Sequence, residues 1–244
     1  MQSNATRDKS KTFRFKQFTI AHDRCAMKVG TDGVLLGAWA SVGKARRILD
    51  IGTGSGVIAI MLAQRQQGAD VIGVEIDEQA CEQAAANMAA SPFADHLQAV
   101  LSPIQAYASQ ESTSFDLIVS NPPFFSGGVL SIDQDRSSVR HTVKLPHGDL
   151  LRSVRGLLAQ DGRFCVILPY LEGLRFVEMA HHYNIHCSRQ TEVIPIEGKT
   201  ANRLLLEFVK EPVESSQESL CIRNNPEQFT EAYRSLTADF YLHF

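Results

Sequence analysis

Short apolar runs alternate with longer stretches whose apolar positions recur every three or four residues, so strands and helices are expected to alternate along this chain. Arg46–Ile51 reads as a buried strand ending in Gly52-Thr53-Gly54-Ser55-Gly56. A helix is expected over Ser55–Gln66, with small residues where it must lie close to a sheet. Strand Asp70–Glu75 then leads to a helix over Glu78–Met88. Leu97–Leu101 is a third strand, and Phe115–Ser120 a fourth, apolar enough to be central. A helix over Leu150–Ala159, a strand over Arg163–Leu168 opened by Gly162, and a helix over Glu172–His181 come next. Glu192–Ile196 and Leu204–Val209 read as a closing antiparallel pair, Ser215–Gln217 as a surface loop, and Phe229–Phe240 as a final amphipathic helix. The alternation predicts an α/β fold, a doubly wound sheet with helices on both faces and its active edge at the carboxyl ends of the strands.

Two stretches precede the first of these strands. Phe13, Phe15 and Phe18 interleave with Arg14, Lys16 and Gln17, which predicts a short strand with one buried face. The aromatics are expected to pack this extension onto the domain, leaving the bases exposed. Further on, Gly30 and Gly33 bracket a polar turn, and Thr31 or Asp32 is expected to cap a helix starting at Val34. That helix is apolar nearly all round and must be buried.

The glycine run carries the first candidate chemistry. Glycines at alternate positions let the backbone bend tightly and let a ligand approach without meeting a Cβ atom. The following helix aims its first free N–H groups into the turn. Glu75 ends the second strand 19 residues after Gly56, where an acid meets a ribose diol in the dinucleotide fold. A nicotinamide site has G-x-G-x-x-G, whereas this run is D-x-G-x-G-x-G, with Asp50 two residues before the first glycine. The pattern is similar to motif I of the class I S-adenosylmethionine-dependent methyltransferases. That resemblance implies a Rossmann-like, mostly parallel seven-stranded sheet with a terminal antiparallel strand. It implies Asp50 near the methionine amino group, a turn shaped by Gly52, Thr53, Gly54 and Gly56, and Glu75 on the ribose hydroxyls. Ile76, Ser102, Thr31 and Asn121 complete the cofactor-binding set it suggests.

Ser120-Asn121-Pro122-Pro123-Phe124 follows the fourth strand, at the edge where the glycines and Glu75 should arrive. Two prolines stiffen the loop. It can hold two acceptors, the Asn121 amide oxygen and the Pro122 carbonyl, beside the flat face of Phe124. Such a set suits a planar group bearing –NH2, drawing the nitrogen lone pair out of conjugation while the ring stacks. Standing alone, it would be a stiff turn with a packed phenylalanine. After a strand and turn of this type, it resembles motif IV of the amino-methyltransferases, (D/N/S)-P-P-(Y/F/W), which implies catalytic roles for Asn121, Pro122, Pro123 and Phe124. The motif is common to adenine-N6, cytosine-N4 and glutamine-N5 methyltransferases.

Composition narrows the setting. The 244 residues suffice for one α/β domain with an extension, and hydrophobic and charged fractions of 44% and 21% are ordinary for a globular protein. No apolar run reaches the length of a membrane span, and Met1 to Lys11 is too polar for a secretory signal. Five scattered cysteines, without a C-x-x-C pair, argue for reduced thiols in the cytoplasm and against a zinc site. The net charge of −3 hides an asymmetry: residues 1–28 hold seven bases and two acids, a net +5, so the other 216 residues carry −8. A basic arm on an acidic body suits a partner with phosphates near one edge of the site.

The run Phe18 to Trp39 around Lys28-Val29-Gly30-Thr31-Asp32-Gly33 joins the two motifs and the ending Phe229–Phe244 in a pattern that closely resembles the bacterial tRNA1(Val) (adenine-37-N6)-methyltransferase family. The resemblance runs from about Phe13 onward. It implies a valine tRNA as substrate, with the adenine beside its anticodon as target, and S-adenosyl-L-methionine as cofactor. Methyl transfer from sulfonium to nitrogen requires no metal, and the enzyme is expected to be a monomer. Arg14, Lys16, Arg24 and Lys28 are the candidates for phosphate contact. The expected organisation is a disordered tail over 1–11, an extension over 12–44 flanking the site, and a methyltransferase domain over 45–244. One departure stands out: Pro103, in Ser102-Pro103-Ile104, sits where the pattern has an acid for the cofactor's adenine amino group. The rivals are a glutamine-N5 protein methyltransferase, which usually carries a helical N-terminal domain ahead of motif I, and a non-catalytic nucleotide-binding module, which leaves Asn121–Phe124 unexplained.

Overall fold

A computed structural model describes residues 11–25, 27–123 and 145–242. Phe124, one of the four residues expected to be catalytic, lies outside the described residues.

The chain opens with an antiparallel hairpin, β1 (Thr12–Arg14) and β2 (Thr19–Ala21), and then helix α1 (Thr31–Trp39). Alternating elements follow: β3 (Arg47–Ile51), α2 (Val57–Arg65), β4 (Asp70–Glu75), α3 (Glu78–Ala89), β5 (Leu97–Leu101), α4 (Ile104–Gln110), β6 (Phe115–Ser120), α5 (His147–Leu157), β7 (Leu158–Pro169) and α6 (Tyr170–His181). Strands β8 (His186–Ile194), β9 (Arg203–Val209) and β10 (Ser216–Cys221) complete the sheet. A small ribbon of β11 (Arg223–Asn225) and β12 (Gln228–Phe229) leads into α7 (Glu231–Thr237).

The main sheet has eight strands in the order β10-β8-β9-β7-β6-β3-β4-β5, and within it only β9 runs antiparallel to its neighbours. The strand order reverses between β3 and β6, the switch point where ligands bind in doubly wound sheets. One buried cluster fills the face covered by α1 and α2, and it includes Phe15, Phe18 and Ile20 of the N-terminal extension. A second fills the face covered by α5 and α6. Helix α1 lies directly on α2: a Cβ built on Gly37 would stand 2.8 Å from the Met61 sulfur.

The fold class agrees with the sequence reading, and several elements differ from it. Helix α1 starts at Thr31 rather than Val34, and its cap is Gly30, with no side-chain hydrogen bond. Asp32 is spent instead on an ion pair with Arg203, 3.0 Å away at the start of β9. Ser216–Cys221, expected to begin in a loop, forms an eighth strand parallel to β8. Its side chains are mostly exposed, so its pattern carries no buried face to read. Helix α4, with only Ile104 buried, was missed for the same reason. The last helix is shorter than expected: Phe229 belongs to β12, and Thr230 caps α7 by accepting from the Tyr233 N–H at 3.1 Å.

Candidate active site

Strand register decides what meets at the carboxyl rim. Ile51 of β3 lies opposite Val74 of β4 and Ser120 of β6, while Glu75 lies opposite Leu101 of β5. The next residues along each chain are therefore neighbours: Asn121 beside Gly52, Gly52 beside Glu75, and Ile76 beside Ser102. Adjacent strands are about 5 Å apart, so these residues form one row across the rim. Two bonds lock it. The Ser120 hydroxyl donates to the Ile51 carbonyl at 2.9 Å, and the Ser102 N–H donates to the Glu75 carbonyl at 2.9 Å.

Gly52 and Gly54 hold φ of +72° and +54°, a left-handed backbone that side-chain-bearing residues rarely adopt. A Cβ on either would meet nothing within 4 Å, so the surface above the turn is open. Asp50 lies beneath, fully buried. Its Oδ2 accepts from the Thr53 hydroxyl at 2.7 Å, whereas its Oδ1 is buried without a hydrogen-bond partner among the described residues. Burial pushes the Asp50 carboxyl up to about 7, against the Thr53 hydroxyl, which pulls it down.

Glu75 is held by backbone. Its Oε2 accepts from the Gly54 N–H at 2.9 Å, and its Oε1 from Ile76 and Asp77 at 2.8 and 3.0 Å. A carboxylate offers about four lone-pair directions, and three are used here, leaving capacity on Oε2. Ile76 and Leu101, 46% and 51% exposed, present apolar surface next to Ser102. Ser102 gives its hydroxyl to the Pro103 carbonyl at 3.0 Å, and Pro103 starts α4. Thr31 is exposed at the start of α1, whose Gly33 lies against Val57 and Ile58 at the start of α2.

At Asn121 the side-chain oxygen is buried and accepts no hydrogen bond among the described residues. Pro122 is buried and Pro123 partly so. An unsatisfied buried amide oxygen costs about 1–3 kcal/mol, which a donor arriving at the rim would recover.

The four bases expected to meet RNA separate. Arg24 and Lys28 lie on the loop joining the hairpin to α1, and both are exposed. Arg24 pairs with Glu82 at 3.5 Å, an exposed contact of little strength. Arg14 and Lys16 lie at the hairpin's turn. Lys16 donates to the Ala238 carbonyl at 2.5 Å, and the neighbouring Asp239 carbonyl accepts from Gln64 near the C-terminal end of α2. That is the end of α2 remote from the glycine turn.

Three contributors went unread in the sequence. Gly73 is needed because a Cβ there would stand 2.7 Å from the Thr53 hydroxyl. Gln83 and Asn87, four residues apart on α3, grip the loop after β2 and the last residue of β2. Their spacing among alanines was the available signal.

The methyltransferase small domain family matches residues 28–167, which carry the glycine turn, Glu75 and Asn121. A tRNA1(Val) (adenine(37)-N6)-methyltransferase of Cronobacter sakazakii is 46% identical over 94% of this chain and 94% of its own length. One from Bacteroides thetaiotaomicron is 45% identical over 95% and 97%. The chain belongs to the tRNA1(Val) (adenine(37)-N6)-methyltransferase family. Like the family, it is a methyltransferase, and the rim built from β3, β4 and β6 is where its motif residues gather. Solved structures agree in fold: a predicted O-methyltransferase of Agrobacterium tumefaciens superposes with a TM-score of 0.65 at 17% identity, covering 86% of this chain and 96% of that one. A methyltransferase of Streptomyces caelestis gives 0.53 at 16% identity, over 75% and 96%. Among the described residues, no helix is long and apolar enough to cross a membrane.

Proposed function

We propose that this chain methylates the exocyclic N6 of adenine 37 in the anticodon loop of a valine tRNA, using S-adenosyl-L-methionine. The observation that carries the reading is the buried, unpartnered Asn121 Oδ1 in register beside the glycine turn. The residues present fit the cofactor. Asp50 Oδ1 is an unsatisfied acceptor suited to an ammonium group, Glu75 Oε2 has capacity for a ribose hydroxyl, and Ile76 and Leu101 suit the faces of an adenine. Ser102 or a backbone carbonyl serves the adenine amino group that Pro103 cannot reach.

When bound, S-adenosylmethionine supplies an electrophilic methyl group on a sulfonium. The chain's own work is positioning and polarity. Asn121 Oδ1 and the Pro122 carbonyl accept the two hydrogens of the target amine, which turns its lone pair out of the ring, and the surplus proton leaves to water. Pro122 and Pro123 fix both acceptors, and Phe124 stacks the base. An adenine in a loop is unstacked more easily than one in a duplex, which suits a rim this open. Arg24 and Lys28 are the phosphate contacts in this reading, and the enzyme is a cytoplasmic monomer.

The test is methylation of total unmodified tRNA with labelled cofactor, followed by nucleoside mapping. N6-methyladenosine at one anticodon-loop site of valine tRNA is expected. Label in protein glutamine instead, with none in RNA, would overturn the substrate.

A further inference from the structure

Two buried amides on α3 tie the glycine turn to the loop that bears Arg24 and Lys28. Gln83 and Asn87 are each 6% exposed and one helical turn apart. Asn87 Nδ2 donates to the carbonyls of both Ser55 and Ala21, each at 2.8 Å, and its Oδ1 accepts from the Ala21 N–H at 3.0 Å. Gln83 Oε1 accepts from the Arg24 N–H at 2.8 Å, while its Nε2 donates to Asp23 at 2.9 Å. The Cys25 thiol points at the same oxygen, 3.5 Å away.

The other end of α3 is tied to the same turn. Asp77 caps the helix by accepting from the Ala80 N–H, and its own N–H is held by Glu75, whose second oxygen holds Gly54. Gly54, Glu75, Asp77, α3, Asn87 and Ser55 therefore form a closed ring of hydrogen bonds. The end of β2 hangs from this ring through Asn87, and the loop over residues 22–25 through Gln83.

We infer that Gln83 and Asn87 are positioning residues that couple the cofactor turn to the RNA-facing loop, so that occupying one site tightens the other. A ligand seated on Gly52–Gly56 and Glu75 stiffens the ring, and the loop stiffens with it. Coupling of this kind is reciprocal: RNA raises cofactor affinity by the same factor that cofactor raises RNA affinity. The RNA half rests on the function proposed above, whereas the link between turn and loop does not.

The experiment uses the full chain with S-adenosylhomocysteine, the stable demethylated product. Hydrogen exchange is followed at the Ala21 and Arg24 amides, with a thermal melt as fold control. In the wild type the ligand is expected to slow both amides by about fivefold or more, the low end of typical coupling. In Gln83→Ala the slowing is lost at Arg24. In Asn87→Asp, which keeps the acceptor for the Ala21 N–H and loses the donor to the Ser55 and Ala21 carbonyls, it is lost at both. Equal slowing in the variants and the wild type, or none in the wild type, overturns the link. In parallel, the affinity for unmodified tRNA is measured with and without the ligand. A wild-type gain of similar size that falls to near one in the variants supports the coupling. A purely structural role would weaken both affinities and leave that factor intact, which would overturn it. A chain that binds the ligand and no tRNA overturns the substrate reading, and the exchange arm still decides the link.

Discussion

Asp50 and Asn121 stand one strand apart, each with a buried oxygen left unsatisfied, and they ask for different donors. Asn121 is a neutral acceptor, and in the proposed reaction it takes a hydrogen of the target amine. Asn121→Ala should lower kcat on the order of a thousandfold, the scale of losing one pre-set dipole, while moving the cofactor Kd by less than about threefold. Isothermal titration beside single-turnover kinetics separates the two. Asp50 titrates: its carboxyl is raised to about 7, mainly by burial. A neutral carboxyl suits the ligand-free fold, so its contribution to stability fades as pH rises from about 4 through about 7. Binding an ammonium group has the opposite sign, because it requires the carboxylate. Cofactor affinity should therefore fall by about tenfold per pH unit below about 7 and level off above it. In Asp50→Asn, titrated over the same range, the profile should be weak and flat.

At the scale of the element, β3 and β4 set the depth of the site through one missing side chain. Gly73 sits opposite Asp50 in the β3–β4 register, and its bare Cα makes room for Thr53. Gly73→Ala forces Thr53 off Asp50. It should cost about 1–3 kcal/mol of stability, as overpacking does, and weaken cofactor binding by about tenfold. Thr53→Ala in the Gly73→Ala background should recover part of the stability and none of the binding, a split that denaturant melts and titration would register. Helix α1 makes a related point. Its side-chain candidates for a cap, Thr31 and Asp32, are inside the helix, and Asp32 holds Arg203 instead.

Charge is a property of the whole molecule, and here the fold divides what the sequence grouped. The basic arm splits into a hairpin turn beside α7 and a loop beside the glycine turn. Lys28→Glu should therefore weaken tRNA binding and lower the salt slope of log K by about one, as expected for one lost phosphate contact. Lys16→Glu should leave the slope unchanged. A Lys28→Glu slope equal to that of the wild type, by filter binding from low to moderate salt, would remove the loop from the RNA surface, and a lowered slope in Lys16→Glu would add the hairpin turn to it.

The sequence alone determined the alternation of strands and helices, the glycine turn, the acid at the end of β4 and the Asn-Pro-Pro run. Each is a local pattern of residue type and spacing, and local sterics and periodicity fix its form. Exposed elements were harder to read: β10 and α4 bury too little to leave a period. Only the tertiary structure decided that Asn121, Gly52 and Glu75 share one row, because interstrand register is a long-range choice made by the packed sheet. It alone showed that Gly73 yields space to Thr53, that Gln83 and Asn87 join loop to turn, and that the four bases lie in two places, on the hairpin and on the loop beside α3. These are meetings between residues distant in sequence, and no spacing within one segment encodes them.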